Sequence, residues 1–295
     1  MDNSILVEQI FVINLKKNIS RFFYTLKYLQ NMNLSKLVSR FEACDAEYSK
    51  KNKHSLIDPV VEKNINNLEN TGIIPTWGAV GCAVSHIELW KIISKMSKNS
   101  LALVLEDDNE IYNENDFLYN FFRLQTIYKC SCTSYSETPF FATFDSKCNI
   151  KSRYSNTPFY HIQSDIRGTS CYLINSFCAR ILLKNIFPLY YQIDIKIGLI
   201  MKQISYNYSN SHCLLVKNSG IRQSKKYISD VQYYFITIED LKIIFKYLNF
   251  PLKIIEKIYY FMPKSYNLDF DTYDDIYGYT NGLNFAYENL NVLMY

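Results

Sequence analysis

The sequence predicts an α/β protein built on a parallel sheet, followed by a helical C-terminal extension. Three observations predict it. The chain opens with a strand–helix–strand pattern, which favours a parallel sheet. A fully apolar run, Leu101–Leu105, stands in the middle and is short enough for a buried strand. A further apolar run, Ser170–Ile174, follows the pair Gly168–Thr169.

The elements follow in order. Glu8–Leu15 is a short β-branched run and reads as the first strand. Asn18 can cap the next segment, where Ile19, Phe22, Phe23, Leu26, Leu29 and Met32 fall at helical spacing. Leu37–Ala43 reads as the second strand. Residues 45–75 are polar, weakly patterned and expected to form a loop. Trp77–Met96 predicts a long helix that packs through Val80, Ala83, Val84, Ile87 and Trp90. Beside that face runs a stripe of small residues, Gly78, Gly81, Cys82 and Ser85. Such a stripe lets either a ligand or a neighbouring backbone come close. Residues 109–166 resist reading apart from a strand between Pro139 and Phe144. Helices are expected over Phe177–Asn185 and Asp194–Ile204, and a short strand over Cys213–Val216.

The C-terminal part differs, so residues 1–228 are taken as the catalytic domain and 229–295 as the extension. Thr237-x-x-Asp240 resembles a capping box, and Pro251 and Pro263 delimit a second amphipathic stretch. Lys242, Lys246, Lys253 and Lys257 recur along these helices. They form either a solvated face or a contact face for a membrane surface or a second subunit of a homodimer.

Composition sets outer bounds. The chain has 295 residues, enough for one large domain or a domain with an extension. Hydrophobic residues at 48% and charged residues at 20% exclude disorder. With 8 Gly and 7 Pro, collagen-like and Gly-rich repeat architectures are excluded too. A sequence pI of about 8.4 falls short of the value above ~9 expected of a dedicated nucleic-acid binder, so no nucleic-acid partner is expected. The net charge of +4 suits an anionic small ligand without demanding one. There are 8 cysteines, but Met1–Glu8 lacks a basic segment followed by an apolar core. Reduced thiols, a cytoplasmic location and no transmembrane segment are therefore expected. Aromatics reach 16%, with 26 Tyr. AT-rich coding sequence would explain that, as would a surface of Tyr rings that stack on sugars. Tyr128, Tyr135, Tyr154 and Tyr160 in the middle, and Tyr273, Tyr277, Tyr279 and Tyr287 in the tail, are the candidates for such stacking.

The strongest chemical signal is Glu106–Asp107–Asp108 directly after the apolar strand. In parallel α/β sheets ligands bind beyond the carboxyl ends of the strands. Three adjacent acids repel one another, and a hard divalent cation relieves that cost. Alternation along an extended chain puts Glu106 and Asp108 on one side, which makes them the better pair of metal donors. The triplet alone also fits a phosphatase, a nuclease or a solvated turn.

The triplet has company. Gly78-x-x-Gly81-Cys82-x-x-Ser85-His86-x-x-x-Trp90 lies about one helix before it. In order, these motifs resemble glycosyltransferase family 25, which holds lipooligosaccharide and procollagen galactosyltransferases. Phe11–Leu15 with Arg21, Arg40-Phe41-x-Ala43-x-Asp45, Gly168-Thr169-x-x-Tyr172-Leu-Ile, and Pro188 with Ile193–Asp194 agree with it. The resemblance covers roughly residues 9–225. Ala46 stands where members often carry a glycine after the Asp, and residues 110–166 match poorly.

The resemblance implies a GT-A-type, Rossmann-like fold, a UDP-hexose donor and a divalent metal, Mn²⁺ before Mg²⁺. Asp108 would hold the metal, and Glu106 either the metal or the sugar or ribose side of the donor, with Asp107 in support. Asn14, Arg21 and Asp45 would lie near the nucleotide. Gly81, Ser85 and His86 would face the donor cleft, and Gly168 and Thr169 would line the sugar. Asp194 would be either a helix cap or the general base, so Asp194 and Glu106 are the candidate catalytic carboxylates. His212 could complete the metal shell from the far side. The acceptor would be a surface glycan or a collagen-like protein, attacked in an inverting single displacement. The rival classes are another metal-dependent phosphoryl or phosphodiester hydrolase, and a non-catalytic glycan-binding module.

Overall fold

The computed structural model describes residues 6–67, 73–131, 138–144, 152–155, 157–164 and 166–224. The expected C-terminal extension lies outside the described residues, as do Tyr135 and the four tail tyrosines.

The apolar β-branched runs form the middle of a sheet. The first, β1 (Val7–Asn14), is followed by α1 (Ile19–Asn31) and β2 (Val38–Glu42). Then come α2 (Ala46–Asn52), α3 (Pro59–Asn67) and α4 (Trp77–Ile93). The second apolar run is β3 (Leu101–Glu106), followed by β4 (Asn109–Ile111), α5 (Glu114–Ser131), β5 (Phe140–Thr143) and β6 (Phe159–His161). The remainder is β7 (Cys171–Asn175), α6 (Ser176–Asn185), α7 (Ile193–Asn207), β8 (His212–Val216) and β9 (Ile221–Gln223). Strand order in the main sheet is β2-β1-β3-β7-β5-β8-β6, and β4 pairs with β9 in a separate ribbon.

β1 runs parallel to β2 and β3, as the opening pattern predicts. The sheet as a whole is mixed, which corrects the parallel expectation. β7 is antiparallel to both β3 and β5, and β6 is antiparallel to β8. A reversed strand cannot be read from an apolar run, because both directions bury the same residues. This α/β sheet flanked by helices is consistent with a Rossmann-like glycosyltransferase fold.

Strand alternation sorts side chains onto two faces. Ile10, Val12, Leu101, Leu103 and Leu105 join a core with Leu29 of α1 and Phe117, Phe121 and Leu124 of α5. Tyr172 and Phe141 face the other way, with their rings stacked. That face carries α4, on which α2, α6 and α7 also pack.

Two readings are corrected, and a stretch that resisted reading is filled in. The stretch 45–75 contains α2 and α3, too short for periodicity to reveal. Within the unreadable middle lies α5, whose Phe117, Phe121, Leu124 and Tyr128 are all buried at helical spacing. Tyr128 is therefore core, 1% exposed and packed edge-on against Phe140, rather than a stacking platform. Among the described residues, no helix is long and apolar enough to cross a membrane.

Candidate active site

The site lies where β1 and β3 end. Strand alternation carries Glu106 onto the α4 face, and the strand stops there. Asp107 and Asp108 occupy a turn before β4. The expected alternation therefore breaks, and the three acids fan out toward different partners.

Asp107 turns toward β1. Its Oδ2 accepts from Asn14 Nδ2 at 2.6 Å, and Arg21 Nη1 lies 3.8 Å from its Oδ1. Asn14 is fixed in turn by Arg40, whose Nε donates to its Oδ1 at 2.7 Å. Asn14 and Arg21, both expected at the site, thus converge on the acid turn.

Asp108 turns toward β9. Gln223 Nε2 donates to its Oδ2 at 2.8 Å, and the Ser224 amide donates to its carbonyl at 2.6 Å. Its Oδ1 is buried and has no hydrogen-bond partner among the described residues. Burial first, then the charges of Glu106 and Asp107, push its carboxyl up to about 7, against the pull of Gln223 and Arg21. A buried carboxylate oxygen left unpaired is costly, and a hard cation is one way to satisfy it. The turn therefore offers a divalent metal one open donor, Asp108 Oδ1, while the Oε1 of Glu106 is already engaged by Thr169 and His86.

Glu106 faces inward. Thr169 Oγ1 donates to its Oε1 at 2.7 Å, and His86 Nε2 stands 3.4 Å from the same oxygen. Burial alone would raise this carboxyl, but the His86 hydrogen bond, the electrostatic pull of that ring and the Thr169 hydroxyl outweigh it and lower it. Glu106 and Asp108 are thus adjacent acids driven in opposite directions, a pattern typical of functional sites.

The segment 168–169 bridges Glu106 to Asp194. Gly168 holds φ +100°, a conformation that favours glycine. Its amide donates to Asp194 Oδ2 at 2.9 Å, and the Ile195 amide donates to Asp194 Oδ1 at 2.7 Å. Asp194 thus sits in the first turn of α7 and holds the segment that carries Thr169. Burial raises its carboxyl despite the two amides and Arg167.

Other expected residues stand behind the site. A Cβ at Gly81 would lie 2.5 Å from the Cys44 carbonyl oxygen and 3.1 Å from that of Asp45. The small-residue stripe therefore admits backbone 44–45 here. Ser85 Oγ donates to Gly81 O and accepts from the Cys44 amide, which pins the same loop. Asp45 is exposed and caps α2, its carboxylate accepting the Tyr48 amide. Ser85 and His86 do not face an open cleft as expected, being 1% and 0% exposed. His212 is also corrected. Register places it beside Phe140, and Phe141 beside Ile174, so it lies at the Leu101 end of the sheet, away from Glu106.

Four contributors were not assigned from sequence. Gln223 and Ser224 reach Asp108 through a three-residue strand with no local signal. Arg40 and Tyr172 stand inside quoted motifs, but their roles depend on partners far along the chain. Cys82 Sγ, His86 and Glu106 offer ligand atoms within 4.8 Å of one another.

An acid cluster at strand ends, on a Rossmann-like sheet, defines the class: an α/β enzyme that handles its ligand at the carboxyl edge. The family model described as glycosyltransferase family 25 (LPS biosynthesis protein) matches residues 7–197. The chain belongs to glycosyltransferase family 25. Glycosyltransferase activity follows at that level, and the hydrolase alternative loses ground. No curated protein matches the chain.

Proposed function

We propose that this glycosyltransferase is metal-dependent and uses a GT-A-type site. It moves a hexose, galactose or glucose, from a UDP-sugar to an acceptor hydroxyl. The acceptor is a surface glycan or the (galactosyl)hydroxylysine of a collagen-like protein. The observation that carries the reading is Asp108 Oδ1, a buried carboxyl oxygen without a partner among the described residues, just past the end of β3. Asp108 and Glu106 would hold Mn²⁺, or Mg²⁺ in its place. The bound ion would offset negative charge on the departing diphosphate.

The chain's own residues supply the rest. Arg21 and Asn14 orient the acid turn through Asp107. Thr169 and Gly168 line the sugar, held between Glu106 and Asp194. Asp194 takes the acceptor proton in an inverting single displacement, and its raised carboxyl suits a base. The amides of Gly168 and Ile195 occupy one lone pair on each of its oxygens and leave others to receive a proton.

The test is a donor screen. Release of nucleoside diphosphate is followed across a panel of nucleotide-sugars with Mn²⁺ or with chelator, with and without collagen-like peptide. The reading requires release from a UDP-hexose that stops with chelator. Release from no nucleotide-sugar would favour the non-catalytic glycan-binding module. Release that ignores chelator would remove the metal.

A further inference from the structure

Behind Glu106 runs a chain of hydrogen bonds that the transfer scheme does not use. The Trp90 indole can only donate, and its Nε1 lies 2.9 Å from Tyr172 Oη. The Tyr172 hydroxyl therefore accepts from Trp90 and has one proton left to give. His86 Nδ1 is 2.9 Å from that oxygen. The Trp90, Tyr172 and His86 rings are all 0% exposed, so bulk water supplies no substitute partner.

Donor chemistry then fixes the imidazole. Nδ1 accepts from Tyr172, so the ring proton sits on Nε2 and faces Glu106 Oε1. The opposite tautomer would strand the Tyr172 proton and set a lone pair against a carboxylate oxygen. An imidazolium would also strand the Tyr172 proton. A thiophilic cation held by Cys82, His86 and Glu106 would need the Nε2 lone pair, which this tautomer places on Nδ1.

We infer that Tyr172 and Trp90 are positioning residues that lock His86 as the Nε2–H tautomer and so aim Glu106, with Thr169, at the transfer site. The chain joins three elements. Trp90 and His86 lie one helical turn apart on α4, Tyr172 is on β7, and Glu106 ends β3. It gives the S-H-x-x-x-W and G-T-x-x-Y spacings one shared purpose. The aiming role rests on the reading of Glu106 as part of the transfer site. The tautomer does not.

The decisive measurement is two-bond ¹H–¹⁵N correlation of the histidine rings in the full-length protein. The chain has 4 His, and His86→Gln identifies the His86 signals by their loss. A neutral Nε2–H pattern is expected for His86 in the wild type, changing in Tyr172→Phe. An imidazolium, an Nδ1–H pattern, or signals unmoved by Tyr172→Phe would overturn the inference. In the kinetic arm, Tyr172→Phe should lower kcat/KM for the nucleotide-sugar by about tenfold or more, and Trp90→Phe by less. His86→Gln, which keeps an N–H near the Nε2 position, should retain more turnover than His86→Leu. Unchanged kinetics in Tyr172→Phe would overturn the positioning role. If the wild type uses no nucleotide-sugar, the transfer reading fails, and the ring signals still decide the tautomer.

Discussion

The two ends of the sheet treat polar groups in opposite ways. At the Leu101 end, Asn175 Oδ1 accepts from the Cys178 and Phe140 amides, and its Nδ2 donates to Thr138 O. Tyr128 donates to Lys98 O beside it. These groups are neutral and joined to backbone from α6, β5 and the segment before β3. His212 Nδ1 and Ser176 Oγ find no partner there among the described residues, but the hydroxyl carries no charge and burial lowers the imidazole's pKa, which favours its neutral form. At the Glu106 end, three carboxyl groups crowd one turn, and an oxygen of Asp108, an ionisable group pushed up to about 7, finds no partner among the described residues. Uncharged groups, most of them satisfied, hold the fold together at one end. An unsatisfied ionisable group is tolerated where a ligand can complete it.

That contrast can be broken or sharpened at four points, the largest effect first. Asp108→Ala should lower transfer on the order of 10²–10³-fold, the scale seen when charge stabilisation is removed from a site. Near-normal turnover of the folded variant would sink the metal role. Asp194→Asn should bind donor normally yet lose about 10²-fold in kcat if it is the base. Normal turnover would leave it as the clamp on Gly168.

At the opposite end, Asn175→Ala should cost about 1–3 kcal/mol of stability, because it removes the α6 cap and strands buried amides. Its kcat should be unchanged. A matching fall in kcat would show that the two ends are not separable.

The smallest effect is a pH slope. The raised Asp108 carboxyl binds its proton more tightly in the folded chain than in the unfolded one. Its stabilising contribution is present at low pH and is lost as pH rises through about 7. Asp108→Asn cannot ionise. In the presence of chelator, its Tm relative to wild type should therefore rise between pH 5 and pH 8. A flat difference would place Asp108 in a more solvated setting.

What the sequence reveals follows from the range of the forces involved. β1, β3 and α4 are legible because burial acts through local patterns. So is the acid triplet, because a charged run after an apolar strand is locally anomalous. The reversal of β7 was hidden, since burial is blind to strand direction. The fan of the three acids was hidden too, because alternation holds only while the strand continues and β3 stops at Glu106. Gln223 had no signal at all, since its role exists only through pairing of β9 with β4 across more than a hundred residues. His86 was legible as a motif but not as a buried donor. That distinction needs Tyr172 and Trp90 in space.

The β4–β9 ribbon has a practical consequence for where the chain can be cut. The family match ends at residue 197, but the Asp108 turn is completed by Gln223 and Ser224. A shortened chain that stopped at the family boundary would lose β8 from the sheet and both anchors of the turn. The smallest fragment that keeps the acid turn intact must therefore run through Ser224.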